Sequence, residues 1–254
     1  MPSAELKAAL DAASAAAEVI RPFYRQPLSV QIKSDQSPVT EADLKAEQAI
    51  RRVLESRFPD YGIYGEEGGK HAMEASSIWL VDPLDGTKSF VRESPFFSTQ
   101  IALWREGRAV LGVSLAPVYG ELAWAEEGTG AFLDGERIRV SATPRLEQAI
   151  LSTGNLKTLA ASSGWARFGK LVGQLNRLRG YGDFLHYHLL ARGSLDAVIE
   201  SDLNVLDIAA LSVIVREAGG QFTELDGAPI SLATTTVLAS NGPLHAPILA
   251  AMRG

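Results

Sequence analysis

Val81-Asp82-Pro83-Leu84-Asp85-Gly86-Thr87-Lys88-Ser89-Phe90 carries two aspartates three positions apart with a proline between them. The apolar run ahead of it, Ile78-Trp79-Leu80-Val81, predicts a buried strand that ends where the first carboxylate appears. Pro83 keeps the backbone extended or turned and prevents a helix across the pair. Both carboxylates can then face one point, with the Leu84 carbonyl between them as a neutral donor. An all-oxygen cluster of this kind suits a hard divalent ion such as Mg²⁺. Gly86 lets backbone approach a ligand closely, and the N–H groups of Gly86 and Thr87 favour an anion. The same string also occurs in ordinary polar turns, so the neighbouring segments must decide between turn and site.

The chain has 254 residues, enough for one large domain or two small ones with a substantial core. A formal charge of -6 argues against a general nucleic-acid or anionic-membrane binder, which would show a basic excess. No cysteine is present, which excludes disulfides, thiolate catalysis and cysteine zinc sites and is compatible with a reducing compartment. The Ala-rich N-terminus is interrupted by Glu5, Lys7, Asp11 and Glu18, unlike a signal peptide, and no apolar run approaches a membrane span. A cytoplasmic address with no membrane association is the expectation.

Upstream of the aspartates, residues 3–25 predict a helix with Leu6, Leu10, Ala13, Ala17 and Ile20 near one stripe and Pro22 in its last turn or at a kink. Val30 to Lys33 predicts a short strand, followed by a polar loop over 34–38. Thr40 is a good N-cap for a second helix, and Asp43, three residues on, fits a capping carboxylate. Tyr61 to Gly65 predicts a strand that delivers Glu66 beside the aspartate loop, although a Glu-Glu-Gly-Gly turn is more often simply solvated. Downstream, strands near 99–104 and 109–115 form a hairpin, and further strands fall near 121–125 and 130–140, turning at Asp134-Gly135.

Around Pro144 the hairpins give way to alternating strands and helices: strands at 149–153, 178–181, 195–200 and 236–240, helices at 165–176, 184–191, 205–218 and 243–252. The expected division is an N-terminal α+β subdomain over 1–143 and a C-terminal α/β subdomain over 144–254, a layered α/β architecture. Asp207 opens the helix at Val205, and Asp183 opens another after Gly182; an acid there is usually a dipole partner or cap. Glu200 ends the strand before Asp207. All three can converge on one sheet edge, where ligands commonly bind in α/β folds.

Asp82-Pro83-Leu84-Asp85-Gly86-Thr87, preceded by Gly65-Glu66-Glu67 and followed by Leu206-Asp207-Ile208-Ala209-Ala210 and Glu217-Ala218-Gly219-Gly220, resembles the inositol monophosphatase superfamily, in order and spacing over nearly the whole chain. The resemblance implies a five-layered αβαβα sandwich and a Mg²⁺-dependent phosphomonoesterase, commonly a lithium-sensitive homodimer, with two or three ions in turnover. It places Glu66, Asp82 and the Leu84 carbonyl on a first ion, and Asp82, Asp85 and Asp207 on a second. Thr87, held by Asp43, would position and help deprotonate the attacking water. A phosphate monoester dianion repels nucleophiles, so these roles match what the chemistry needs: charge neutralisation, an activated water and in-line geometry. The family commonly has tryptophan immediately before the second-ion aspartate; here it is Leu206.

Within that superfamily, the segments 62–67, 86–90 and 181–184, together with Val198-Ile199-Glu200-Ser201, are similar to the histidinol-phosphatase branch. Histidinol phosphate carries a cationic amine and an imidazole, so its pocket should hold carboxylates, and Asp183 and Glu200 are the candidates. The substrate-binding set is then Gly86, Thr87, Gly182, Asp183, Glu200 and Asp207. Asp183 would repel the second phosphate of a bisphosphate. The alternatives are an inositol-1-phosphatase, a promiscuous sugar or nucleotide monophosphatase, and a binding partner of the transcription machinery. His186 and His188 are read as packing residues, and Lys33 and Lys88 as positive charge near the phosphate.

Overall fold

The computed structural model describes residues 2–27, 30–32 and 38–253. Lys33 and most of the polar loop expected over 34–38 lie outside them. Helix α1 (Ala4–Ile20) opens on Ser3, whose hydroxyl accepts from the Leu6 N–H, and buries Leu6, Ala9, Ala13, Ala16 and Ile20. It stops short of residue 25 because Pro22 has no N–H to extend the ladder; a single 3-10 turn, Arg21–Phe23, follows. Strands β1 (Val30–Ile32) and β2 (Pro38–Thr40) pair antiparallel and lead into α2 (Glu41–Arg57), which starts at the Thr40 cap.

Next come β3 (Gly62–Gly65), β4 (Gly69–His71), β5 (Ser77–Asp85), the short α3 (Thr87–Val91), β6 (Ser98–Arg105), β7 (Arg108–Ala116), β8 (Glu121–Glu126), β9 (Gly130–Leu133) and β10 (Glu136–Ile138). The strands from β3 onward form an eight-stranded sheet in the order β10-β9-β8-β7-β6-β5-β3-β4, antiparallel except for the parallel pair β3–β5. The downstream half supplies β11 (Ile150–Thr153), α4 (Lys157–Ala160), α5 (Gly164–Val172), β12 (Arg177–Arg179), α6 (Asp183–Ala191), β13 (Ala197–Ser201), α7 (Val205–Glu217), β14 (Gly220–Thr223), β15 (Thr236–Asn241) and α8 (Gly242–Arg253). Its five strands run β12-β11-β13-β15-β14.

Three apolar clusters stack these elements into five layers. Leu6, Ala13, Ile50 and Leu54 of α1 and α2 meet Trp79, Val81 and Ile101 on one face of the large sheet. On its other face, Leu80 and Trp104 share a core with Phe184 and Tyr187 of α6, Leu206 and Ile208 of α7, and Val198 and Ala239 of the second sheet. Phe168, Leu244 and Ile248 of α5 and α8 close the far side of that second sheet against Leu151, Ile199 and Leu238. The order is helix, sheet, helix, sheet, helix: an αβαβα sandwich. Because α7 lies between two sheets it is apolar nearly all round. It approaches β7 so closely at Gly112 that a Cβ there would stand 2.2 Å from the Ala210 carbonyl oxygen.

The strand expected over 78–81 does not end at the first carboxylate but continues to Asp85. β2, β4, α3, α4 and β14 had no separate expectation, and Pro38, expected in the polar loop, opens β2. The Gly219-Gly220 pair does end a helix, but its second glycine already belongs to β14, which the turn signal hid.

Candidate active site

The extension of β5 is what aims the two aspartates. Asp82 stands opposite Gln100 and Asp85 opposite Ser98, so the two intervening residues of β5 face only Thr99: a bulge. Pro83 is tolerated there because a bulge leaves a donor unpaired in any case, and its carbonyl accepts from Thr99 Oγ1 at 2.8 Å. The Leu84 N–H donates to Asp82 Oδ1 at 2.9 Å, pinning that carboxylate against a fully buried turn. Gly86 follows at φ +88°, and a Cβ on it would stand 2.8 Å from the Phe96 carbonyl oxygen. Only glycine makes this corner without strain.

Asp207 reaches the same place from the start of α7. It closes a capping box, accepting from the Asn204 N–H at 2.8 Å while the Asn204 side chain accepts from the Leu206 N–H. Asp82, Asp85 and Asp207 each bring one oxygen within 4.8 Å of the others. Glu66 stands outside that tightest group but hydrogen-bonds the Asp82 carboxyl, and its N–H is tied to the Val81 carbonyl at 3.1 Å. Burial pushes the Asp82 and Asp85 carboxyls well above the carboxylate range, and their neighbours Glu66, Asp207 and Asp183 add to it by repulsion. Burial also raises Asp207, to about 7, against the lowering bond from Asn204. Asp82 is buried and Asp85 and Asp207 half-buried, and carboxylates that repel one another in this way fit a hard divalent cation, which would relieve the repulsion with oxygen ligands alone.

Asp43 does two things at once. Its Oδ2 accepts from the Thr40 N–H at 2.8 Å and the Thr40 hydroxyl at 2.6 Å, completing the cap of α2. Its Oδ1 lies 3.0 Å from Thr87 Oγ1, which is also 3.1 Å from the Leu84 carbonyl oxygen. A hydroxyl has one proton to donate, so either acceptor leaves the lone pairs of Thr87 available to a donor such as water. Burial raises Asp43 in spite of the bonds from Thr40 and Thr87.

Beside the cluster is a cavity of about 40 Å³ lined by Asp85, Asp183, Tyr187, Glu200 and Asp207. Gly182 (φ +73°) and Asp183 (φ +47°) are both left-handed, a sharp turn that starts α6 with its acid facing the cavity. Gly182 occupies the cap position, so Asp183 is not the helix cap that its sequence position also allowed. Its Oδ2 is 3.4 Å from the Ser89 hydroxyl. Glu200 accepts from the Asn155 N–H and the Tyr187 hydroxyl, each at 3.0 Å. His186 Nε2 is 3.2 Å from Glu200 Oε2 but off the line of a hydrogen bond, so the contact is electrostatic. Burial favours the neutral Glu200 acid, but His186, the Asn155 amide and Tyr187 outweigh it and hold the group below its usual value. A larger cavity of about 320 Å³, around Leu159, Arg167, Leu225 and Met252, contains none of these carboxylates.

The whole chain, residues 1–254, matches the inositol monophosphatase family. The chain belongs to that family. It is 40% identical over 257 aligned positions to a histidinol-phosphatase of Mycobacterium tuberculosis, covering 96% of each chain. It is 38% identical to an inositol-1-monophosphatase of Caulobacter vibrioides, covering 89% of this chain and 91% of the other. Among solved structures it is similar to the extragenic suppressor protein suhB from Bartonella henselae, with a TM-score of 0.91, 32% identity and 99% of each chain covered. The protein is therefore a phosphoric monoester hydrolase of a metal-dependent family, and no helix among the described residues is long and apolar enough to cross a membrane.

Leu206, where the family commonly has tryptophan, is buried in the central core. His186 and His188 are fully buried; His186 stands beside Glu200, while His188 bridges Glu121 and Ser114 at 3.0 and 2.9 Å, away from the site. Lys88 is exposed and lowers the Asp183 carboxyl, whose net shift is upward from burial. Sequence reasoning missed Tyr187 and Asn155. Tyr187 was within reach, since it lies four residues after Asp183 on the same helix face. Asn155 contributes a backbone amide, which no side-chain pattern announces.

Proposed function

We propose that this phosphatase hydrolyses histidinol phosphate and uses magnesium. The observation that carries the reading is the pair Asp183 and Glu200, lining the cavity beside Asp85 and Asp207. A cationic amine would gain charge pairing from both carboxylates, whereas a neutral polyol would gain hydrogen bonds alone. The 40% identity to a protein named histidinol-phosphatase supports the same choice. Inositol 1-phosphate is the second reading, because the Caulobacter relative of that name is almost as similar at 38%.

In the proposed mechanism Glu66, Asp82 and the Leu84 carbonyl would hold a first ion, and Asp82, Asp85 and Asp207 a second. Bound magnesium would supply positive charge to offset the phosphate dianion and would acidify the attacking water. Thr87 would accept a hydrogen bond from that water while its own hydroxyl donates to Asp43 Oδ1. Asp43, bonded to the Thr87 hydroxyl at 3.0 Å, can take up the proton that Thr87 gives up on accepting one from the water. The Gly86 corner and the Thr87 amide receive the phosphate oxygens. Asp183, turned inward by Gly182, and Glu200, fixed by Tyr187 and Asn155, receive the amine end of the substrate.

The test compares kcat/KM for histidinol phosphate and inositol 1-phosphate with Mg²⁺, in wild type and in Asp183→Asn. Asparagine tolerates the left-handed backbone at position 183, so only the charge is removed. Wild type should favour histidinol phosphate, and the substitution should lower that activity about tenfold or more while changing inositol phosphate turnover less than threefold. An equal loss on both substrates would overturn the specificity assignment.

A further inference from the structure

Glu47 lies in the interior of α2, among Ala42, Ala46, Ala49 and Ile50, and is 2% exposed. A carboxylate is not expected there unless it has partners, and its partners all belong to one small region. Glu47 Oε2 accepts from the Glu67 N–H at 2.7 Å, and Oε1 from the Gly68 N–H at 2.9 Å. Arg51, one turn along α2, donates Nε to the same Oε1 at 2.8 Å and Nη2 to the Gly69 carbonyl at 3.3 Å. Gly65 and Gly69 face each other across the β3–β4 hairpin, so the clamped residues form the loop of an edge hairpin, and that loop begins with Glu66.

The glycines on either side of Glu66 give an independent sign that the loop is shaped around this carboxylate. A Cβ at Gly65 would stand 2.4 Å from Glu47 Oε1. One at Gly68 would stand 2.5 Å from the same oxygen and 2.7 Å from Arg51 Nη2. Neither glycine has a positive φ, so it is proximity to Glu47 and not backbone conformation that requires them.

We propose that Glu47 is a positioning residue of the metal centre, holding the 66–69 loop so that Glu66 faces Asp82. The inference rests on the assignment of Glu66 as a metal ligand. Glu47 touches neither ion nor substrate; it acts through the two amides that follow Glu66. A glutamine in its place keeps the shape but turns a donor toward one of those amides, releasing that side of the loop. Outer partners of metal ligands commonly change metal affinity by about tenfold or more, and the same is expected here.

The experiment titrates magnesium chloride into metal-free full-length protein by calorimetry at pH 8, for wild type, Glu47→Gln, Gly68→Ala, Glu66→Gln and the double variant Glu47→Gln/Glu66→Gln. Gly68→Ala disturbs the clamp from the loop side and guards against a misfolded Glu47 variant. The expected result is a Kd for magnesium about tenfold weaker in both Glu47→Gln and Gly68→Ala. In both, kcat at saturating magnesium should stay within about threefold of wild type, substrate KM should be unchanged, and amide exchange at Glu67 and Gly68 should be faster. The double variant should bind magnesium no more weakly than Glu66→Gln alone. If Glu66→Gln weakens magnesium binding while folded Glu47→Gln and Gly68→Ala do not, the inference fails and the ligand assignment stands. If Glu66→Gln leaves the Kd unchanged, both fail. A loss of kcat with an unchanged magnesium Kd, or additive losses in the double variant, would show a purely structural Glu47.

Discussion

Magnesium binding to this protein should be a proton-releasing reaction, because the carboxylates that would hold the ion are protonated more readily than usual in its absence. Asp207 alone gives the scale of the effect. With its acid at about 7, the ionised fraction falls from about 0.9 at pH 8 to about 0.1 at pH 6. The apparent magnesium Kd should therefore weaken about tenfold between those two pH values, or about 1.4 kcal/mol, and more if Asp82 and Asp85 also hold protons. At a magnesium concentration 100 times the pH 8 Kd, stabilisation is about 2.7 kcal/mol at pH 8 and about 1.4 kcal/mol at pH 6. For a chain of this length, that is a rise in Tm of about 5–11 °C at pH 8 and about 3–6 °C at pH 6.

The metal-free protein should show the opposite trend at this site. The folded-state acid of Asp207 is raised above its unfolded value of 3.8. Its contribution to stability is thus fully present below that unfolded value and is lost as pH rises through about 7. Asp207→Asn mimics the protonated acid and isolates the effect from the other titrating groups. Differential scanning calorimetry should find the metal-free variant gaining on wild type as pH rises from 5 to 8, while its magnesium-induced shift largely disappears. An equal magnesium shift at both pH values in wild type, or a metal-free Asp207→Asn that loses ground to wild type toward pH 8, would refute the reasoning.

Thr87→Ala should lower kcat by about a hundredfold or more with little change in magnesium Kd and a smaller change in Tm than Asp43→Asn, since it removes the hydroxyl that meets the water but leaves the Asp43–Thr40 cap intact. Asp43→Asn should lower kcat comparably but also reduce stability by about 1 kcal/mol, because the same carboxylate caps α2; steady-state kinetics beside thermal melts separate the two. His188 is held below the usual histidine range by burial, against the raising effect of Glu121. Its stabilisation is present above the unfolded value of 6.5 and is lost as pH falls below it. His188→Gln should accordingly flatten the decline in urea midpoint between pH 7 and pH 5, and an unchanged slope would exclude His188 as its source.

The carboxylates of the site were legible in the sequence because each sits beside a local signal: a proline between Asp82 and Asp85, a glycine before Asp183, a helix start under Asp43 and Asp207. What could not be read locally was how the pieces are aimed. The bulge that turns Asp85 toward Asp82 depends on pairing with β6, whose partners Gln100 and Ser98 lie more than ten residues away. Glu47 shows the same gap from the other side. With Arg51 four positions on, it has the signature of a solvated helical ion pair, and only the tertiary fold reveals that it is buried against a loop twenty residues downstream.

Sequence reasoning also posed a choice, cap or functional group, that the structure dissolves for two residues. Asp43 and Asp207 are each the third residue of a helix and each completes a capping box. Asp43 gives one oxygen to its cap and the other to Thr87, and Asp207 caps α7 while bringing an oxygen to the cluster. Capping locks the rotamer of a carboxylate that would otherwise be free to turn away from its neighbours' charge. It also sets that carboxylate at the positive end of a helix, where the macrodipole partly offsets the repulsion before any cation arrives. The N-termini of α2 and α7 come from opposite halves of the chain, so neither helix alone makes a site. Their convergence at the Gly86 corner gathers negative charge tightly enough to call for a divalent ion while keeping it tolerable in the metal-free fold.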